Sequence, residues 1–528
     1  MRRFFRTTYA LAVIVISLAV AVLGFTQTKV FHSYVRNRLI ETVASETHAK
    51  LMLGMLEGNL FTGFQAENVV LSRDGESVLT VKRLEAKYDP LGLLTKSLSV
   101  SRLTLINPVI CLTRSQTGSW NVERLPRSSS TDTSSSAWTI NLKQVQIVNG
   151  ELHLVDSLSL ARHAADSSLQ IWPGRIDYAN LQLDSLNFDV GLTVRSRQTG
   201  LTLRSFACSL LRPQLHIKEF AGDFLLAPTT VSVQKLNLVT EKSHLRLDAR
   251  LDSIDITRVT DLAQLQFVPI SARLDVERLD FSELKQFIGS SVRFLEREIA
   301  CQIEVEGRFG LMDVRNVTLR AGATALRVAG TLANLHNPRD LELDLACIKN
   351  KVDPVDIRHL MPSLRMPDLS ALGLLEYDLR FKGKPTAFNV RLASSSNVGS
   401  VDVDGNVDFR ETLFSYDGTV KTSRFNLGLL VGDSSLASRL EATISLQGRG
   451  SRLAEMTCVA RAEIDSSEFL GLPVRRSVAV VDIADRIIRP RVSLRIGSSR
   501  VDLGGTLQVR PQDIVHYDIS GRINSLNL

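Results

Sequence analysis

The side chains able to do chemistry are scattered rather than grouped. The chain has nine histidines. None of them forms the HExxH pair or the His-rich cluster that a zinc hydrolase needs, and His153 and His244 sit in alternating strands, on the polar side. Asp402, Asp404 and Asp408 are spaced two and four apart, yet they lack the EF-hand spacing and its closing glutamate. Period-two alternation along a strand accounts for them. The five cysteines, Cys111, Cys208, Cys301, Cys347 and Cys458, are far apart and never form CxxC. They are expected to be small buried apolar residues rather than a metal site or a disulfide framework. There is no GxSxG elbow, no P-loop and no GxGxxG after a strand. The expectation is a protein that is not an enzyme, with no metal and no cofactor.

The pattern that does recur is apolar. From Lys50 onward the hydrophobic period is largely two, the period of a strand with one greasy face. His244–Asp252 reads HLRLDARLD: Leu245, Leu247 and Leu251 point one way and the charges the other. The same alternation places Leu181 and Leu183, Leu341 and Leu343, and Val401 and Val403 on one face each. These nine residues are the candidate lining of a binding face. Asn149-Gly150, between VQIV and ELHLV, predicts a two-residue hairpin; Asp404-Gly405 and Asp417-Gly418 mark further turns.

The elements holding this face follow from the rest of the chain. Residues 9–25 are an uncharged apolar run preceded by Arg2, Arg3 and Arg6. That arrangement predicts a transmembrane helix with a cytoplasmic N-terminus and everything after it outside. A cleaved signal peptide ending near Ala19-Val20-Ala21 is the rival reading, but Val22–Phe25 carry the apolar run past that site. Phe31, Val35, Leu39 and Val43 then recur every four residues, predicting an amphipathic helix on the membrane surface or capping the sheet. Residues 1–27 are thus tip and anchor, and 28–127 an N-terminal region of helix then strands. Residues 128–137, rich in serine and threonine, are a linker or loop, and 138–528 are divergent β-repeats. Val401–Val407 (VDVDGNV) and Tyr416–Leu427 return about 100 residues later as Val501–Leu507 (VDLGGTL) and Tyr517–Leu528. LRVAGTL at Leu326–Leu332 is a looser copy. Gly307, Gly383 and Gly448 each close a similar strand, and short helical links begin at Asp280 and Asp353. The repeats argue for strands stacked in sequence rather than a closed globule. The chain stops inside its last repeat, so a continuation beyond Leu528 is expected.

A one-faced sheet must cover its apolar side with a second sheet or with helices. The predicted helices are too few and too short. Either the sheet fills itself with its own side chains, or it curls into a groove for a foreign apolar ligand. Aromatics are only 6% of the chain, and an aliphatic lining suits flexible acyl chains. The net charge of +7, from 63 basic and 56 acidic residues, fits a mixed solvated surface. No basic cluster interleaved with aromatics points to nucleic acid.

Several stretches resemble the N-terminal region of AsmA/TamB-like proteins. They are Gly58–Phe64 (GNLFTGF) with Asn68–Leu71, then Leu105–Ile110 (LINPVI) followed by Gly118-Ser119-Trp120-Asn121 and Leu125. Val148–Leu152 with Asp156 completes the set. Together they cover the chain through about residue 156. The resemblance implies a mostly β fold: an N-terminal transmembrane helix, then an elongated, curled antiparallel sheet forming a taco-shaped groove, with few short helices. It implies an inner-membrane-anchored, periplasmic body that carries phospholipid acyl chains toward the outer membrane. The alternative it implies is help in assembling outer-membrane or secreted proteins alongside an outer-membrane β-barrel partner. The characteristic C-terminal domain of a TamB-like chain is absent from this sequence.

Overall fold

The computed structural model describes residues 17, 24–59, 62–89, 97–123, 139–165, 175–195, 198–255, 258–288, 295–362, 368–509 and 515–524. Arg2, Arg3, Arg6, most of the uncharged run 9–25 and the serine-rich stretch 128–137 lie outside them. Among the described residues no helix is long and apolar enough to cross a membrane. The chain divides into two compact units, Met1–Asp248 with Ser282–Arg293, and Ala249–Phe281 with Phe294–Leu528.

The first unit opens with the helix Lys29–Glu46, capped by the Thr28 side chain. The helix caps the sheet: Val35 and Ile40 pack against a core built on Leu53, Leu56, Ala66, Val69, Val81 and Leu105. Arg36 donates twice to the Leu53 carbonyl, at 2.8 and 2.6 Å, and the His32 ring bonds the Gly58 carbonyl at 2.7 Å. Long strands follow at Gly63–Arg73, Glu76–Asp89, Ser97–Arg114, Gln144–Asp156, Asn180–Arg195, Gln198–Leu210, Leu215–Ala227 and Thr230–Thr240. Each hydrogen-bonds its neighbour in this order.

Two expectations are corrected here. The sheet is not wholly antiparallel: Ser97–Arg114 pairs parallel with Gln144–Asp156 and with Thr139–Leu142. Nor is Asn149-Gly150 a hairpin. It lies inside the unbroken strand Gln144–Asp156, where the register shifts between Ile147 and Leu152. Asn149 does adopt the left-handed conformation that the Asn-Gly signal encodes (φ 51°), but as a bulge. A Cβ on Gly150 would lie 2.8 Å from Ile147 and 2.9 Å from Pro108. Asn68, Asn107 and Ser185 take the same conformation in Gly63–Arg73, Ser97–Arg114 and Asn180–Arg195. An extra residue changes the phase of the alternation. The bulges therefore keep the apolar residues of both strand halves on one face: Leu105 pairs with Ile147 before the bulge, and Ile110 with Leu152 after it.

In the second unit a hairpin-linked run begins at Pro269–Asp280 and continues through Glu298–Arg308, Leu311–Ala321, Thr324–Ala333, Glu342–Val352, Leu375–Lys384, Ala387–Ser396, Gly399–Asp408, Ser415–Phe425, Ser438–Arg449, Thr457–Ile464, Ser477–Ala484, Ile487–Ile496 and Ser499–Val509 to Val515–Asn524. Every consecutive pair is antiparallel. Asp404-Gly405 and Asp417-Gly418 are not turns. Gly405 and Gly418 face each other across the middle of two strands, because the alternation of Val401, Val403 and Val407 runs straight through the glycine. The expected links are helical, at Phe281–Ile288 and Pro354–Leu360. Glu283, in the first turn of Phe281–Ile288, is buried and accepts from Thr240 Oγ1 (2.5 Å), Ser243 Oγ (2.6 Å) and the Lys242 amide (3.1 Å).

Of the cysteines, Cys208, Cys347 and Cys458 are buried, while Cys111 and Cys301 are only half-buried. Burial pushes the Cys208 thiol up to about 11, and also raises Cys347 against the opposing Asn350 hydrogen bond. At pH 8 both remain thiols, so an aromatic disulfide reagent should label neither until the protein is unfolded. Fast labelling of the folded protein would show these strands to be open.

Asp156 caps the helix Ser157–Ala165. It accepts from the Ser159 amide (3.0 Å) and hydroxyl (2.8 Å) and from Arg114 (3.1 Å), whose guanidinium also stands over the Trp120 ring. Burial raises its carboxyl, but the Ser159 and Arg114 bonds outweigh this and hold it below the ordinary range. Its stabilisation is therefore complete above the ordinary carboxylate titration and lost as pH falls through the lowered one. Asp156→Ala should cost about 1 kcal/mol, as a lost N-cap does. Asp156→Asn should flatten the acid limb of the urea-midpoint profile; an unchanged limb would remove Asp156 as its source.

Candidate functional site

The cross-strand registers of the second unit place one apolar side chain on each successive long strand in a single transverse row. It begins at Leu274 and passes through Ile303, Val317, Val328, Cys347 and Leu379. It continues through Leu392, Val403, Val420, Ile444, Ala462, Ala479, Val492 and Leu503. A second row, two residues along each strand, includes Val305, Val314, Leu345, Phe381, Val390 and Leu446. A third includes Met312, Leu332, Leu343, Phe388, Val407 and Tyr416. Partners across a ladder share a face, so the three rows make one apolar strip.

The strip is closed over Met312, Val314 and Cys347 and open along its middle strands. Along Leu375–Lys384, Ala387–Ser396 and Gly399–Asp408 the residues alternate between exposed and partly buried, and none is fully buried. Inward residues of a packed sandwich are shut off from solvent. The opposite face is charged and paired: Arg391 with Asp404 (3.1 Å), Arg491 with Asp482 (2.6 Å), Lys351 with Glu376 (2.7 Å). Arg410 hydrogen-bonds Asp408 and holds its carboxyl down at about 2. Exposed pairs of this kind add little stability. They keep the outer face in water and leave the apolar face as the one available to a hydrocarbon.

Glycines interrupt the strip where a large side chain needs room. Gly383 (φ 129°) faces Phe388, and Gly330 (φ 146°) faces Leu345. A Cβ there would fall 2.5 Å from the Ala387 carbonyl oxygen and 2.0 Å from that of Asp344. Such positions admit the strong local twist that curves a sheet. Beside them runs a ladder of rings, Phe381–Phe388 (4.6 Å), Phe388–Phe409 (6.2 Å), Phe409–Phe414 (5.1 Å) and Phe414–Tyr416 (5.6 Å).

Among the residues singled out from the sequence, Val403 stands in the first row between Leu392 and Val420, and Leu343 in the third. Val401 lies in a flanking row with Ser394 and Thr422, where the strip turns polar. Leu341 precedes its strand, Glu342–Val352. Leu251 packs on the small core of Ile254, Leu265 and Val268. In the first unit, Leu183 is buried in a core with Leu186, Leu210 and Leu215, and Leu181 packs against it. Leu245 and Leu247 are partly buried on His244–Asp252. Sequence reasoning passed over Leu379, Phe381, Phe388, Val390 and Leu392, although LEYDLRF and FNVRLA alternate as clearly as HLRLDARLD. Phe409 and Phe414 of the ring ladder had no comparable signal, since they lie between strands.

Among the described residues no three His, Cys, Asp or Glu side chains converge as metal ligands. No curated protein and no solved structure matches the chain. Residues 1–189 match the AsmA family, past the last resembling motif at Asp156 and into the strand Asn180–Arg195. This N-terminal region is AsmA-like.

Proposed function

We propose that this protein carries phospholipid acyl chains along the apolar face of its sheet, moving lipid between the inner and outer membranes without catalysis. In this reading residues 9–25 anchor it in the inner membrane, Arg2, Arg3 and Arg6 stay cytoplasmic, and the two units stand in the periplasm. The observation that carries the proposal is the strip of the second unit, apolar on strand after strand and with no fully buried residue on Leu375–Lys384, Ala387–Ser396 or Gly399–Asp408. A monomer seldom leaves so extended an apolar patch without a binding role. The similarity of residues 1–189 to the AsmA family supports the same reading.

The chemistry of such a strip is additive. Each methylene taken from water contributes about 0.8 kcal/mol, and neighbouring rows offer equivalent contacts, so a chain can advance without one residue holding it. The ligand is a hydrocarbon, and no cofactor is called for.

Detergent-free preparations of the body from Lys29 onward should contain phospholipid by mass spectrometry; lipid-free protein that is folded would count against the proposal. Val403→Asp puts a carboxylate between Leu392 and Val420, where an acyl chain would have to desolvate it. Bound phospholipid should fall about tenfold, the equivalent of 1.4 kcal/mol, with the cooperative unfolding transition preserved. Leu247→Arg probes the other unit in the same way. Normal lipid content in both folded variants would take the face out of the mechanism, and a stable complex with an outer-membrane barrel in its place would favour an assembly role.

A further inference from the structure

A second apolar feature lies in the first unit and shares no residue with the strip. Between the helix Lys29–Glu46 and the first strands is a cavity of about 460 Å³. Val35 and Leu39 form its helical wall, and Leu53, Ala66 and Ala86 belong to the wall of strands. Two alanines supply the room, each opposite a large neighbour: Ala66 pairs with Leu84, and Ala86 with Phe64. Leu39 is 45% exposed, so the cavity reaches the surface.

The space is lined by apolar side chains and open on one side. Packing is close to that of organic crystals, and an apolar void holds water poorly while readily taking an apolar guest. The volume falls in the usual range of small-molecule pockets. The helix is held beside this space by the packing of Val35 and Ile40 on the core and by the hydrogen bonds of Arg36 and His32 to backbone carbonyls.

Aromatic contacts connect the cavity to the end of the uncharged N-terminal run. Phe25, 57% exposed, meets Phe31 edge-on at 5.6 Å; Phe31 stacks on Phe64 at 6.3 Å, and Phe64 on Tyr88 at 6.1 Å. Val30 and Tyr34, on the same end of the helix, are 72% and 67% exposed. Rings and aliphatic side chains left bare beside an apolar run are what a membrane interface accepts. The hydroxyl of Tyr88, whose ring lines the cavity, is buried and without a hydrogen-bond partner. An ester oxygen of a lipid is an acceptor suited to it.

We infer that this cavity is a loading pocket that receives one acyl chain of a membrane phospholipid as it leaves the bilayer, an inference that rests on the lipid-carrying reading above. The test uses the full chain in vesicles of phosphatidylethanolamine and phosphatidylglycerol, with the photoreactive residue benzoylphenylalanine placed at position 39 or at position 403. Illumination should yield a phospholipid adduct from position 39, and Ala86→Phe, which fills the cavity from the strand side, should reduce it at least fivefold. Val35→Phe fills it independently from the helix and should do the same should the first variant fold poorly. An adduct at position 403 with none at 39, or one at 39 that neither filling variant diminishes, overturns the pocket and leaves the strip standing. Adducts at neither position overturn both.

Discussion

The structure depends on a registration constraint: each strand must meet its neighbour so that like faces like. Side chains alternate with period two, so a slip of one residue would turn every leucine and valine of a strand into water and every arginine and aspartate into the apolar strip. In the second unit each described strand meets the constraint through its pairing with the next. Antiparallel pairs, short connections and charged partners on the outer face hold it locally, as Arg391 with Asp404 and Asp344 near Arg380 illustrate. In the first unit it is met with help from buried clusters and from bulges that change phase together.

The two units use their apolar residues differently. Leu183, Leu210 and Leu215 are buried and serve as ordinary core. Leu379, Leu392 and Val403, with the same alternation, remain partly open. One pattern thus yields a sealed core in one place and a partly open apolar face in the other. The difference is what lies opposite the sheet, which neither strand propensity nor hydrophobic period reports.

Much of this was legible in the sequence. Strict alternation gave the strands and their faces, as in His244–Asp252, and the four-residue period of Phe31, Val35, Leu39 and Val43 gave the first helix. The copies VDVDGNV and VDLGGTL proved to be corresponding hairpin strands, since Val407 faces Tyr416 as Leu507 faces Tyr517. What misled was the reading of glycine. Asn149-Gly150 carries a left-handed residue, and that conformation serves a bulge as well as a turn. Gly405 and Gly418 sit mid-strand, where closeness of backbone rather than reversal of the chain explains them. The parallel pairing of Ser97–Arg114 with Gln144–Asp156 was illegible because pairing direction depends on the path of the intervening chain, not on either strand. The cavity under the first helix was hidden for a similar reason, since the space comes from the smallness of Ala66 and Ala86 once the helix is laid above them.

The pairwise register of the second unit has an evolutionary corollary. Each strand reads only the strands beside it, so a whole hairpin inserted or removed leaves every remaining neighbour satisfied and the greasy side still aligned. A gene encoding such a sheet can grow or shrink by tandem duplication in steps of two strands, and natural selection can thereby tune its reach without reinventing its surface.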